Sequence, residues 1–198
     1  MIVITIDQRR SRSGPDKVET LLRHLVEHYS TERGFERTAG DEIQGVLSDG
    51  AVAVALALDV AGTGEWSVGI GVGAVQTPMP AQTRAGRGPA FEHARVAVER
   101  AKSSSGSLAL AGTGMEAERL EAELQLVALV NARRTESSAE AGMLVSQGLT
   151  QQQVATRLDI SQQAVSARLS SGLWYEAGRL TELAGAALHR YSIYMEEG

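Results

Sequence analysis

The spacing of apolar positions along this chain changes repeatedly, and each change predicts a new element. Residues 2–6 form a β-branched run, the pattern of a strand buried on both faces. From residue 16 to 29, Val18, Leu21, Leu22, Leu25 and Val26 recur at the i, i+3, i+4 spacing of an amphipathic helix. Residues 35–47 read as a strand, a tight turn at Gly40 and Asp41, and a second strand, with Gly40 supplying the turn's freedom. Residues 51–58 are Ala-rich and helical, and 66–73 return to strand. A Gly-Pro loop from residue 86 opens a helix reaching 102, in which Phe91, Ala94, Val98 and Ala101 share a face. After a Ser/Gly spacer at 103–107, residues 108–110 predict a last strand. Strand, helix, hairpin, helix, strand and helix in that order predict an α+β sandwich over residues 1–114.

The remainder, 115–198, predicts an all-α domain. Residues 116–132 form a long helix with Leu120, Leu124, Val127, Leu129 and Val130 apolar, a face suited to core packing or to a linker and dimer seam. Residues 138–146 predict another helix, and 178–194 a closing one with Leu180, Leu183, Ala187, Leu188 and Tyr191 apolar. Between them, residues 148–171 read GLTQQQVATRLDISQQAVSARLSS. Thr150 is a good N-cap, and Gln153 completes a capping box. Val154, Ala155 and Leu158 then share one face, Asp159 and Ile160 make a turn, and Ser161 caps a second helix with Val165 and Leu169 underneath. This is the pattern of a helix-turn-helix.

On the second helix Gln162, Gln163, Ser166 and Arg168 are left for the outer face. Gln pairs with adenine, Arg with guanine and Ser with either, so these four are candidate contacts to base edges of double-stranded DNA. Thr150, Arg157 and Ser161 are the candidate phosphate contacts, which set position without specifying sequence. The ordinary alternative is a helical hairpin with a solvated polar face, but such faces are usually richer in Glu and Lys. At Asp159 the turn favours a positive φ, which Gly adopts freely and Asp tolerates.

Composition narrows the class. With 43% hydrophobic residues the chain can bury a core, and no run of eighteen apolar residues is present to span a membrane. The start carries no secretion-signal pattern, and the absence of cysteine excludes disulfides and thiolate chemistry. Together these favour a cytoplasmic protein. The net charge of −5 is unfavourable for a nucleic-acid binder. Its basic residues are grouped, however: Arg9, Arg10, Arg12 and Lys17; Arg84, Arg87, Arg95, Arg100 and Lys102; and Arg133, Arg134, Arg157 and Arg168. A weakly basic reading head would bind better as a homodimer on paired half-sites.

Several stretches, in this order, resemble the SatD family of bacterial proteins: VITIDQRRSR, AGDEIQGVL, VGIGVG, GRGPAFEHARVAVERAK and LTQQQVATRLDISQQAVSARL. That resemblance implies a DNA-binding or regulatory role and names no ligand. Residues 1–102 are more faintly similar to class III nucleotide cyclase domains and their ferredoxin-like relatives. The likeness implies that Asp7 ends the first strand and Asp41 sits in the hairpin as a pair of metal ligands. It further implies that Arg37 stands at a purine-contacting position and Arg95 at a transition-state arginine. Phe91 departs from that pattern, because it stands where an Asn would orient the nucleotide.

Three readings of Asp7 and Asp41 follow: a catalytic two-metal site, a sensor site for a divalent metal, nucleotide or other small effector, and carboxylates that cap loops and pair with Arg9, Arg10 or Arg37. The last is the ordinary role of such groups. VGIGVG lacks the strand-loop-helix setting of a dinucleotide or phosphate loop, so its glycines point to a helix packed close on the sheet. His24 and His28 have the i, i+4 spacing of a metal pair without a third ligand. The sequence therefore predicts a DNA-binding regulator with an N-terminal sensing or dimerisation domain. A metal-dependent nucleotide-processing enzyme tethered by its helix-turn-helix is the alternative.

Overall fold

The computed structural model describes residues 1–11, 14–38 and 40–197. Arg12, one of the basic residues grouped near the N-terminus, lies outside the described residues. Five strands build one mixed sheet: β1 (Ile2–Gln8), β2 (Arg33–Arg37), β3 (Glu42–Leu47), β4 (Trp66–Val72) and β5 (Leu108–Ala111). Their spatial order is β2-β3-β1-β4-β5, so the β-branched run of β1 lies in the middle. Neighbours are antiparallel except β4 and β5, which are parallel and joined through the helix α3 (Pro89–Ala101).

Strand register gives the sheet two faces. Ile2, Ile4 and Ile6 stand beside Leu47, Gly45 and Ile43 on β3, and beside Val72, Ile70 and Val68 on β4. This face carries the main core, covered by α1 (Val18–His28), α2 (Gly50–Gly62), α4 (Met115–Arg133) and α8 (Trp174–Glu197). The other face, with Val3, Thr5 and Asp7 of β1, is covered by α3. Gly69 and Gly71 of β4 lie directly beneath that helix. A Cβ on Gly69 would collide with the backbone of Ala94 and Val98, and one on Gly71 with Ala90 and Ala94. The glycines of VGIGVG are thus the place where helix and sheet approach most closely.

The division expected at residues 114 and 115 does not follow the packing. Leu120, Leu124 and Val127 of α4, with Ala184, Ala187, Leu188 and Tyr191 of α8, are buried in the same core as the sheet. Their apolar stripes find α2 and β5 as partners, because burying a stripe against an existing core removes more surface from water than leaving it open. Gly50 and Gly185 bring α2 and α8 together: a Cβ on Gly185 would lie 2.9 Å from Ala51 Cα. The Tyr191 hydroxyl donates to Thr113 O at 2.7 Å and accepts from Thr113 N at 2.8 Å, fixing α8 to the segment after β5.

Three details differ from the periodicity. Val26 and Leu183 are 76% and 57% exposed, because each lies at the margin of its helix's apolar stripe. The first helix begins at Val18, with the Asp16 carboxylate accepting from its N–H at 2.9 Å. The closing helix starts at Trp174 and so continues almost directly from the helix ending at Ser171.

Candidate nucleic-acid interface

Helices α5 (Glu136–Ser146), α6 (Gln151–Leu158) and α7 (Gln162–Ser171) form a second, smaller core of Ala141, Val154, Ala155, Val165 and Leu169. Each helix start is written in the sequence. Thr135 Oγ1 accepts from Ser138 N at 3.2 Å. At α6 the capping box closes in both directions: Thr150 Oγ1 accepts from Gln153 N at 3.3 Å, and Gln153 Oε1 accepts from Thr150 N at 2.8 Å. Ser161 Oγ accepts from Ala164 N at 3.1 Å. Between α6 and α7, Asp159 adopts φ 53° and ψ 47°, the left-handed conformation that the turn requires. Ile160 N then donates to Ala155 O at 3.0 Å, turning the chain back.

The outer face of α7 is polar and without carboxylates. Gln162, Gln163 and Ser166 are exposed, and Ala167 and Ser170 extend the same exposed surface at i+4 and i+7 from Gln163. Ala167 is legible by the same spacing and adds a methyl group to this surface. Arg168 behaves differently from expectation. It flanks the buried stripe, its side chain is 29% exposed, and its Nη1 lies 3.7 Å from Glu140 Oε2 on α5. One guanidinium of the proposed reading set is therefore drawn toward an acid of its own head. Arg157 is exposed. The Thr150 hydroxyl is committed to Gln153, to which it donates at 3.0 Å, whereas Ser161 keeps its O–H available. Arg134 lies at the back of the head, 4.5 Å over the Trp174 ring, and donates to Gly172 O at 3.0 Å. From residue 134 to 178 the head holds Arg134, Arg157 and Arg168 against Glu136, Glu140, Asp159 and Glu176. Its charge is slightly acidic, where the sequence reading expected it weakly basic.

Asp7 and Asp41 do come together. With Gln8, Arg9, Arg10, Ser11, Ser67 and Lys102 they line a cavity of about 410 Å³ at the end of β1. Asp7 stands opposite Ser67 in the sheet and 3.2 Å from the Lys102 ammonium, which also bonds Glu99 at 2.8 Å. Burial pushes the Asp7 carboxyl above its ordinary range, with Asp41 and Glu99 adding repulsion against the opposing pull of Lys102. Burial alone would lower Lys102, but its bonds to Glu99 and Asp7 outweigh that and hold it above the ordinary lysine value. Ser67 Oγ is buried and has no hydrogen-bond partner among the described residues. Nothing in the sequence marked Ser67; its place depends on register with Asp7.

The other two candidates of that group go elsewhere. Arg37 bonds Asp16 at 2.8 Å and Gly40 O at 2.9 Å, which fastens the hairpin to the start of α1. Arg95 lines a different cavity, beside Arg84 and Arg87. Phe91 is 1% exposed and belongs to the core between α3 and the sheet. Among the described residues no group of three or more His, Asp or Glu is arranged to hold a metal ion. His24 pairs with Asp59 at 2.8 Å and stacks on His28 at 4.4 Å, so the two histidines are engaged with their neighbours. No helix is long and apolar enough to cross a membrane, among the described residues. Compared with protein-family models, with curated proteins and with solved structures, the chain matches none.

Proposed function

We propose that the chain is a sequence-specific DNA-binding regulator whose reading helix is α7. The observation that carries this is the outer face of that helix. Gln163, Ser166, Ala167 and Ser170 are exposed, uncharged and able to meet base edges, on a helix whose entry is fixed by the left-handed turn at Asp159. Such a face has no structural task in the chain itself. The SatD-like motifs point the same way. The sheet order β2-β3-β1-β4, with β5 added beyond β4, supports reading the larger core as ferredoxin- or nucleotide-cyclase-like in arrangement. The head carries little positive charge, so two heads of a homodimer acting on paired half-sites give the affinity that one lacks.

The test is selection of genomic DNA fragments on the purified protein, followed by a salt titration on the best fragment. A two-fold symmetric site, bound less tightly as salt rises, is the expected result. Gln163→Ala is then expected to cost about 1–3 kcal/mol on that site and little on random duplex. Arg157→Ala is expected to weaken both alike, as a phosphate contact does. No enrichment even at low salt overturns the proposal.

A second reading concerns the Asp7 cavity, and its polar lining favours it: Asp7, Asp41, Arg9, Arg10 and Lys102 gather around about 410 Å³ of space. We read this cavity as an effector site for a small polar ligand. Lys102 already neutralises Asp7, which disfavours a resident metal pair there. Thermal unfolding with ATP and magnesium tests the point, since a ligand bound by the native state alone raises the midpoint. Metal-dependent turnover of ATP, lost in Asp41→Asn, would instead support the enzyme.

A further inference from the structure

We infer a separate phosphate-binding site in the cavity formed by Arg84, Arg87 and Arg95, at the opposite end of α3 from Lys102. The cavity measures about 400 Å³ and is lined by Arg84, Gly86, Arg87, Gly88, Glu92 and Arg95, among others. All three guanidinium side chains belong to exposed residues, and none forms an ion pair with a carboxylate among the described residues. Glu92 lines the same cavity without closing an ion pair with any of them. Arg84 makes long bonds of 3.3 Å to the Gln82 side-chain oxygen, a neutral partner.

What sets these three apart from the chain's other arginines without an ion pair is that they line one cavity. Acids outnumber bases overall, and Arg37, Arg100, Lys102 and Arg119 each hold a carboxylate. Three like charges gathered without a counter-ion repel one another, and nothing in the fold is gained from the gathering. The loop that carries two of them is nonetheless fastened on both sides. Thr83 donates to Gly34 O at 2.8 Å, on the edge strand. Gly86 lies flat on the Phe91 ring with no room for a side chain. Arg87 O accepts from Gln76 N at 2.8 Å, and Gly88, at φ 121°, would bring a Cβ to 2.8 Å from Ala74 O. The backbone that carries Arg84 and Arg87 is therefore fixed at the cavity that Arg95 also lines. Several guanidiniums around one space, each able to donate two N–H bonds to an anion, suit recognition of phosphoryl oxygens. The ligand class is a small phosphoanion, recognised through its oxygens without a metal ion. Arg95 takes its part here as one of three forks and has no contact with the Asp7 cavity.

Pyrophosphate in buffer containing EDTA is the probe, measured by isothermal calorimetry on the full chain. EDTA removes any binding that needs a divalent ion at Asp7 and Asp41, so this site is read independently of that one. Saturable binding is expected. It should weaken about tenfold or more in Arg87→Ala and again in Arg95→Ala, with Arg87→Lys retaining part of the affinity. Circular dichroism without ligand is expected to be unchanged and the melting midpoint unchanged or slightly raised, because these side chains support no fold contact and removing one relieves repulsion. No saturable uptake up to about 1 mM overturns the inference. Uptake unaffected by both alanine variants overturns it also, assigning the anion to Arg9, Arg10 or Lys102. If random duplex DNA binds through Arg87 and Arg95 and pyrophosphate does not compete, the patch is a nucleic-acid surface and the small-anion site is refuted.

Discussion

Tyr191→Phe isolates one device that fastens the closing helix to the sheet. The ring stays buried, and the only atom lost is a hydroxyl oxygen that makes two bonds, 2.7 Å to Thr113 O and 2.8 Å from Thr113 N. Tyr191 is 6% exposed and Gly112 packs against its hydroxyl, so the groups left behind are shielded from water on that side. Each bond to a neutral backbone group contributes a net ~0.5–1.5 kcal/mol, giving a loss of about 1–3 kcal/mol for the pair. Urea unfolding followed by tryptophan fluorescence measures it. Trp66 reports the main core, where it is 3% exposed, and Trp174 reports the junction of the head with α8. With a urea slope of about 2 kcal/mol per molar, the midpoint should fall by roughly 0.5–1.5 M at constant slope. Gly112→Ala, which crowds the same hydroxyl, is expected to move the midpoint in the same direction. A change below about 0.5 kcal/mol in Tyr191→Phe refutes the reasoning. It would mean that water satisfies Thr113 and that apolar contact alone holds α8 in place.

Gly71→Ala is expected to cost several kcal/mol, roughly the range of overpacking and backbone displacement, because its methyl meets the backbone of α3; a midpoint within error of the parent would show that α3 can lift without loss. Thr150→Ala opens the capping box of α6 and should remove about 1 kcal/mol from the head, seen as an earlier loss of amide protection over residues 150–171 than elsewhere. Asp159→Val should be less stable than Asp159→Gly by about 1–2 kcal/mol, since φ 53° is open to glycine and strained for a branched side chain; equal midpoints would contradict the left-handed turn. Because burial raises the Asp7 carboxyl, the folded chain holds that proton more tightly than the unfolded one. The stabilising effect is full below the unfolded value and is lost as pH rises through the folded one. Asp7→Asn is therefore expected to be more stable than the parent at neutral pH, with the gap closing as pH falls through the carboxylate range. A gap independent of pH excludes this origin.

The elements were largely legible because their causes are local. The β-branched run of β1, the i, i+3, i+4 stripe of α1, the capping box at Thr150 and the polar cap at Ser161 each act within one or two turns of chain. The turn at Asp159 was legible for the same reason, since the strain belongs to one residue. The boundary at 114 and 115 was not. An apolar stripe states that a helix will be covered, and the stripes of α4 and α8 do not state by what. Their partners are β5 and α2, and α2 lies more than a hundred positions before α8. Arg168 illustrates the same limit at the scale of one side chain. Counting along α7 put it outside, while Glu140, on another helix, draws it in.

Sites were harder to read than elements because a site is assembled by register and loop path. The cyclase likeness pairs Asp7 with Asp41, but the group that modifies Asp7 is Lys102, at the C-terminal end of the helix that crosses the same face of the sheet. Ser67 joins them only because β4 runs antiparallel to β1 with Asp7 opposite Ser67; a shift of one residue would turn Ser67 into the core and Val68 into the cavity. The cyclase likeness groups Arg95 with Asp7. Its position on α3, two turns before Lys102, puts about 10 Å of helix between them. That spacing is what divides the polar residues of this face into two cavities of opposite character. One has paired charges and an unpartnered hydroxyl, and the other has three guanidiniums with no carboxylate paired to them.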